Sequence, residues 1–343
     1  MTASIEDVAR LAGVSIATVS RSLRGLPDVA AATRDRVLAA AAELDYVASP
    51  FAARLASGKT STVGVVVPFV NRWYFGETLG AIERVLDEAD LDMLIYGLGD
   101  EGRRTSFFSR LPVRKRVDCL IVVSTVMTDD ERRALEGLGM PIGSVGVTNE
   151  GVLSVAIDDH ATAYAATGHL LALGRRRIAR IGGDVEDAMG FQPHIERRRG
   201  YRDALIDAGL EPEATIDRIG GYTSAGGEAA MTEVLAAAPD VDAVFVESDE
   251  MAYGALVALR RAGRRVPDDV AVIGVDDHPG ARYVDLSTMR QPIVQMATDA
   301  TRALLGSTGA ASPEPRPESR VYETELVVRG STDAAHSVYR ADG

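Results

Sequence analysis

The side chains with the clearest chemical purpose sit within the first two dozen residues. Arg21 carries a planar guanidinium that can donate two hydrogen bonds to a guanine edge, while Ile16 and Ala17 suit contact with thymine methyls. At helical spacing these residues share a side with Ser20 and Arg24, opposite Val19 and Leu23. Such a side can read base edges in a DNA major groove, where a good bidentate pair discriminates by roughly 1 to 3 kcal/mol. Taken alone, the stretch also allows a plain amphipathic hairpin with a solvated arginine face.

The flanking residues supply what such a reader needs. Ser4 is placed to cap a first helix, with Glu6 and Asp7 at its positive dipole end and Ile5, Val8, Ala9 and Ala12 on its buried side. Gly13 permits a tight turn, and Ser15 can cap the second helix. The two helices read as a helix-turn-helix. A third amphipathic helix, Thr33 to Leu44, with Val37, Ala40, Ala41 and Leu44 on one stripe, closes a small core. The expected DNA-facing set in this head, residues 1–46, is Ser4, Ile5, Ser15, Ile16, Ala17, Thr18, Ser20, Arg21, Arg24 and Thr33. In the linker, residues 47–60, Ser49 as cap, Pro50 at the first helical position and Gly58 past the end bracket a helix of about two turns, too short to persist alone in water.

The helix-turn-helix, the Leu44-Asp45-Tyr46 ending and the Arg54-Leu55-Ala56-Ser57-Gly58 linker together resemble the start of a lactose-repressor-type (LacI/GalR family) transcription regulator. The resemblance implies a hinge helix that forms when two subunits pair on an operator, with Leu55 matching the leucine that wedges into the minor groove. Such a wedge costs a few kcal/mol of unstacking and bends the duplex toward more protein surface. This chain has Ala48-Ser49 where the usual hinge has Pro-Asn.

Composition fits that organisation. The chain has 343 residues, 46% hydrophobic and 25% charged, which suits a soluble globular protein of two or three domains. Its net charge of -13 is unevenly placed: residues 1–60 hold seven Lys or Arg against six Asp or Glu, and the remainder 30 against 44. Only the first segment approaches phosphates cheaply. One cysteine, Cys119, lies in an apolar run and has no partner within the chain, as expected in a reducing cytoplasm. The N-terminus lacks a basic-then-apolar signal pattern and no apolar run approaches the roughly 18 residues of a membrane span.

From Ser61 the pattern alternates apolar strand and amphipathic helix: Val63–Val67, Phe75–Ala89, Asp92–Tyr96, Asp118–Val123 and Ile142–Val145, then Ala161–Leu173, Ile178–Ile181, Arg197–Ala208, Ala225–Ala237, Ala243–Val246, Glu250–Ala262 and Val270–Val275. Alternation of this kind predicts an α/β body, residues 61–343, of two doubly wound parallel-sheet subdomains. The resemblance adds a type I periplasmic-binding-protein-like core whose lobes close on a small effector, with chain crossings expected near 158, 287–292 and 306–320 and a final strand over Glu323–Arg329. Ligands in open parallel sheets lie at the carboxyl ends of strands. Trp73 and Phe75, after the first strand, could stack on a ring, and Asp100, after the second, could accept hydroxyl hydrogens. Arg197, Tyr222, Ser248 and Asp276 match effector-contact positions of the family. Ser248 stands where asparagine is common, and Gly146 where a polar group often follows the fourth strand. The effector expected from the family is a carbohydrate.

Rival readings have less support. Gly97-Leu98-Gly99-Asp100-Glu101-Gly102 matches the dinucleotide-binding Gly-x-Gly-x-x-Gly pattern of an NAD-dependent dehydrogenase, but Asp100 and Glu101 would face a pyrophosphate. Asp158-Asp159-His160 and Asp276-Asp277-His278 hold metal-ligand residue types without a spaced set to complete a site. A solute-binding protein of the same core would need export and no head. The expectation is therefore a cytoplasmic, non-enzymatic homodimer, with a tetramer left open, that binds an inverted-repeat duplex operator and needs neither cofactor nor metal.

Overall fold

The computed structural model describes residues 3–23, 28–46, 59–184, 190–307 and 319–336. They form two compact units, a head ending at Ser61, with which Lys115–Val117 group, and a body made of the remainder. Arg24 and the hinge residues Ser49, Pro50, Leu55 and Gly58 lie outside the described residues.

In the head, α1 (Ile5–Ala12) starts in a reciprocal cap: the Ser4 hydroxyl accepts the Asp7 N–H at 3.3 Å, and the Asp7 carboxylate accepts the Ser4 N–H at 3.0 Å. Gly13, at φ 64°, turns the chain in the left-handed region. The Ser15 hydroxyl then accepts the Thr18 N–H at 3.2 Å to open α2 (Ile16–Leu23). α3 (Ala31–Glu43) begins two residues ahead of the expected Thr33, because alanines 31 and 32 are strong helix formers and the Ala30 carbonyl already accepts from Thr33 and Arg34. Val8, Ala9, Ala12, Val19, Val37, Ala40 and Ala41 form the core.

The body holds two six-stranded sheets. The first comprises β1 (Thr62–Val67), β2 (Asp92–Gly97), β3 (Cys119–Val123), β4 (Ile142–Val145), β5 (Leu153–Ile157) and β11 (Arg320–Tyr322), in the order β11-β5-β4-β3-β1-β2. The second comprises β6 (Ile178–Gly182), β7 (Asp217–Ile219), β8 (Ala243–Val246), β9 (Ala271–Asp276), β10 (Ser287–Arg290) and β12 (Glu325–Val327), in the order β12-β10-β9-β8-β6-β7. Only the β10–β12 pair is antiparallel. The central strands are buried on both faces, which is why they read as unbroken Val and Ile runs.

The connecting helices are α4 (Trp73–Glu88), α5 (Glu101–Arg110), α6 (Asp129–Glu136), α7 (Asp159–Ala172), α8 (Pro193–Asp207), α9 (Ser224–Ala237), α10 (Asp249–Arg261) and α11 (Ile293–Ser307). α11 returns to the first sheet, where Met296, Ala297, Ala300 and Leu304 pack on Val63, Val65 and Ile121. The chain passes between sheets at Asp158, at Gln291–Pro292 and at Glu323–Thr324.

The third passage differs from the expected 306–320 linker. Glu323–Arg329 is also not one strand, because β11 ends before it on the first sheet and β12 starts at Glu325 on the second. The open edge of β5 captures β11 in parallel register, Val321 opposite Ala156, so the chain returns to the first sheet before leaving it. A short run that pairs by backbone alone leaves little trace in side-chain pattern.

Candidate functional site

Each lobe winds so that strand order reverses between its first and third strands: β2-β1-β3 in one lobe, β7-β6-β8 in the other. Loops diverge at such a point and open a crevice at the carboxyl ends of the strands. The two crevices face one another across about 510 Å³ of atom-free space, part of it open solvent. The first lobe lines it with Arg72, Tyr74, Phe75, Ser124 and Gly146, and the second with Phe191, Arg197, Tyr222, Ser248, Glu250 and Asp276.

Arg197 is the electrostatic centre. Only 5% exposed, it donates from Nε to Asp159 at 2.8 Å and from Nη1 to the Glu247 carbonyl at 2.5 Å. Burial raises the Asp159 carboxyl to about 6 against the pull of Arg197. Burial likewise raises Asp276, at the end of β9, to about 7, opposed by Arg197 and by Gln291, whose amide donates to it at 2.6 Å. Asp276 sits at φ 125°, backbone strain that aims its carboxyl into the crevice. Tyr222, also at positive φ, donates its hydroxyl to Glu247 at 3.0 Å and meets Phe191 edge-on at 5.0 Å between ring centres. Behind it Glu247 and Arg180 form a buried ion pair, which Asp217 and the Gly183 N–H complete. The Ser248 hydroxyl caps α10, accepting the Met251 N–H at 3.3 Å.

Thus Phe75, Arg197, Tyr222, Ser248 and Asp276 converge on the crevice, and two other expected residues do not. Trp73 points away and packs on His278 of the other lobe at 4.8 Å between ring centres, because successive helical residues rotate by about 100° and its neighbours Tyr74 and Phe75 face inward instead. Asp100 is exposed and caps α5 through the Arg103 N–H at 2.9 Å. It follows edge strand β2, outside the reversal between β1 and β3, and its carboxylate occupies the helix N-terminus that a pyrophosphate would need. Tyr74, Ser124, Asp159, Phe191, Glu250 and Gln291 were missed by sequence reasoning. The strand-end rule could have found Ser124 and Asp159, each one or two residues past a strand.

On the head, α2 presents Ile16 at 47% exposure, with Ser15, Ala17 and Arg21 also exposed, while Thr18 and Ser20 are half-buried. Arg21 lies 3.4 Å from Asp28, both more than half exposed, so this surface pair exchanges readily for a stronger acceptor. Ser4 is engaged in its cap, Ile5 packs on the head core, and Thr33 is half-buried in the first turn of α3.

Residues 4–49 match the model of bacterial regulatory proteins of the lacI family, and residues 167–332 match a periplasmic binding protein-like domain. Over 96% of its length the chain is 36% identical to the HTH-type transcriptional regulator CelR of Thermobifida fusca, covering 98% of that protein. It is 35% identical to the regulator GalR of Escherichia coli, across 96% of this chain and 95% of that one. The chain belongs to the LacI/GalR family. It is a DNA-binding transcription regulator of that family, with the fold of its solved members. The lac repressor dimer bound to operator and the anti-inducer ONPF superposes with a TM-score of 0.83 at 25% identity, covering 97% of this chain and 99% of that one. A CelR–cellobiose complex superposes at 0.70 and 34% identity, covering 96% and 99%.

Gly146, just past the fourth strand, is a glycine for a local reason. At φ 86°, a Cβ there would lie 2.5 Å from both the Tyr74 hydroxyl and Ser124 Oγ. The Tyr74–Ser124 hydroxyl pair fills that volume, and burial raises the phenol to about 12. Among the described residues no helix is long and apolar enough to cross a membrane, and no cluster of His, Cys, Asp and Glu could hold a metal ion.

Proposed function

We propose that this regulator is a cytoplasmic, non-enzymatic repressor, dimeric on an inverted-repeat operator, whose DNA affinity is set by a carbohydrate held between the lobes. The observation that carries this reading is the presence of both Arg197 and Asp276 in the lining of one buried crevice beside Phe75, Phe191 and Tyr222. Sugar hydroxyls donate to a carboxylate and accept from a guanidinium, and aromatic faces cover the C–H face of a pyranose ring. Among the described residues Arg197 Nη2 makes no hydrogen bond to protein, while Asp276 accepts from the Gln291 amide and from the Asp249 backbone N–H. The cellobiose complex of CelR supports the same ligand class.

In the head, Arg21, Ile16 and Ala17 read base edges, Leu55 wedges the minor groove, and the effector shifts operator affinity by its differential binding to two lobe arrangements. The test is thermal melting of the full chain with glucose, galactose, gluconate, lactose and cellobiose. A ligand at 100 times its Kd stabilises by about 2.7 kcal/mol, so a melting rise of several degrees is expected with at least one sugar. Arg197→Ala and Asp276→Asn should each abolish it. If none of the five raises the melting temperature at millimolar concentration, the carbohydrate reading fails.

A further inference from the structure

The arginines of the body are mostly committed to neighbours. Arg104 pairs with Glu131, Arg132 with Glu136, Arg133 with Asp130, Arg177 with Glu213, Arg180 with Glu247 and Arg198 with Asp217. The run Arg114-Lys115-Arg116 departs from this rule. All three residues are exposed, and among the described residues none has an ion pair or a side-chain hydrogen bond. Lys115 sits at φ 59°, so the loop holds a left-handed bend at its centre.

Its place in the fold gives the run a direction. β1 and β3 are adjacent and parallel, with Val63 opposite Cys119. The residues just before β3 therefore lie beside those just before β1, and the Asp118 N–H donates to the Thr62 carbonyl at 2.8 Å. By contacts, Lys115–Val117 group with the segment before Thr62 and not with the body. The three cations thus flank the point where the chain arrives from the DNA-binding head, at the end of the sheet opposite the effector crevice. Of the acids at that end, Asp87, Asp90 and Asp92 stand on the β2 side, at the sheet edge, and Asp118 directly precedes β3, two residues after Arg116.

We infer that Arg114, Lys115 and Arg116 form a second DNA contact, a phosphate clamp on the operator backbone supplied by the loop that precedes β3 and not by the helices of the head. The body is acidic, with 44 Asp or Glu against 30 Lys or Arg beyond residue 60, so long-range repulsion opposes its approach to a duplex. Three adjacent cations free of carboxylates offset that repulsion within a Debye length of about 8 Å. Contacts of this type carry no sequence information; they add affinity and salt dependence on every duplex alike. The clamp goes beyond the base-reading role of the head and is separable from it by experiment.

The experiment compares the full-length wild type with Arg114→Ala/Lys115→Ala/Arg116→Ala. Each is titrated by fluorescence anisotropy against an inverted repeat selected in vitro by the wild-type protein and against a scrambled duplex of equal length, from 50 to 300 mM KCl. Losing one phosphate contact per subunit should flatten the slope of log K on log salt by about 1.8 and weaken binding at 100 mM KCl by roughly tenfold or more. Specific and scrambled duplexes should lose affinity by the same factor. Arg114→Lys/Arg116→Lys should keep most of the affinity, and melting temperatures should match, since the three side chains are exposed. Unchanged affinity and slope would overturn the clamp, as would weaker binding at an unchanged slope, or weakening confined to the selected sequence. A wild type that selects no inverted repeat would instead count against the base-reading head.

Discussion

The two walls of the crevice proposed to hold the effector are built on different physics. The second lobe supplies charge: Arg197, Asp276 and Glu250, with Asp159 at the crossing, backed by the buried Arg180–Glu247 pair. The first lobe supplies shape: Tyr74, Phe75, Ser124 and a bare Gly146, with Arg72 as its one charged lining residue among the described residues. Buried charge is directional and holds a ligand in one orientation, whereas an apolar wall with two hydroxyls selects by fit. On the proposed function, the difference assigns orientation of the ligand to the second lobe and selection by fit to the first.

The comparison breaks most visibly if the charge network is removed. Glu247→Ala leaves Arg180, 1% exposed, with Asp217 as its remaining carboxylate, so the expected cost lies toward the lower end of the range of about 3 to 5 kcal/mol for breaking a buried pair. For a body of this size the expected fall in melting temperature is on the order of 10 °C. Arg180→Met combined with Glu247→Leu should recover much of that loss, because no unpaired charge remains buried. A Glu247→Ala protein that melts with the wild type would show that solvent reaches the pair.

The shape wall is tested at Gly146. Gly146→Ala places a methyl against Tyr74 and Ser124 on a backbone at φ 86°, so both overpacking and strain apply; overpacking alone typically costs about 1 to 3 kcal/mol. Tyr74→Phe in the same chain removes one of the two clashing oxygens and should return part of the stability. Additive losses in the double variant would mean that the two residues do not share a volume.

Legibility in the sequence follows the same division. On the second lobe, Arg197, Tyr222, Ser248 and Asp276 are read from the family resemblance and not from local pattern, although Ser248 at a helix cap and Asp276 at a strand end stand where position along the chain fixes position in space. On the first lobe the crevice is met by the opening turn of α4, where a shift of one residue turns a side chain through about 100°, so the expectation of Trp73 and Phe75 is right for Phe75 and passes over Tyr74. Asp100 misled because strand order, which puts β2 at an edge, cannot be read from alternation alone. The head was legible almost residue by residue, since its caps, turn and core all lie within a few positions of one another. The Asp159–Arg197 pair was not, because it joins residues that only the second sheet brings together.

A smaller effect sharpens the charged wall. The Asp276 carboxyl titrates at about 7 in the folded chain against an ordinary 3.8, chiefly through burial. The folded state therefore binds more protons than the unfolded state between those values, so this residue's contribution to stability is complete below pH 3.8 and is lost as pH rises through 7. Asp276→Asn should flatten that part of the pH–stability curve, read by chemical denaturation at pH 5 and pH 8. An unchanged slope would assign the titration to Asp159 or Asp249 instead.

The slightest signal reports on the boundary between the walls. Trp73, the only tryptophan in the chain, lies on the first lobe, and its ring centre is 4.8 Å from that of His278 on the second. The Trp73 backbone N–H also donates to the Glu250 carboxylate across the same boundary. Protonated imidazole quenches indole fluorescence on contact, so Trp73 emission reads both the charge of His278 and the distance between lobes. Burial holds His278 below its ordinary 6.5, against the pull of Glu77. Quenching on acidification should therefore have its midpoint below pH 6.5 and vanish in His278→Gln. If the lobes part, the imidazole leaves the ring and the midpoint loses its amplitude while the emission shifts red with hydration. A titration curve indifferent to His278→Gln would mean that the two rings do not meet in solution, and that the walls stand further apart than a closed crevice requires.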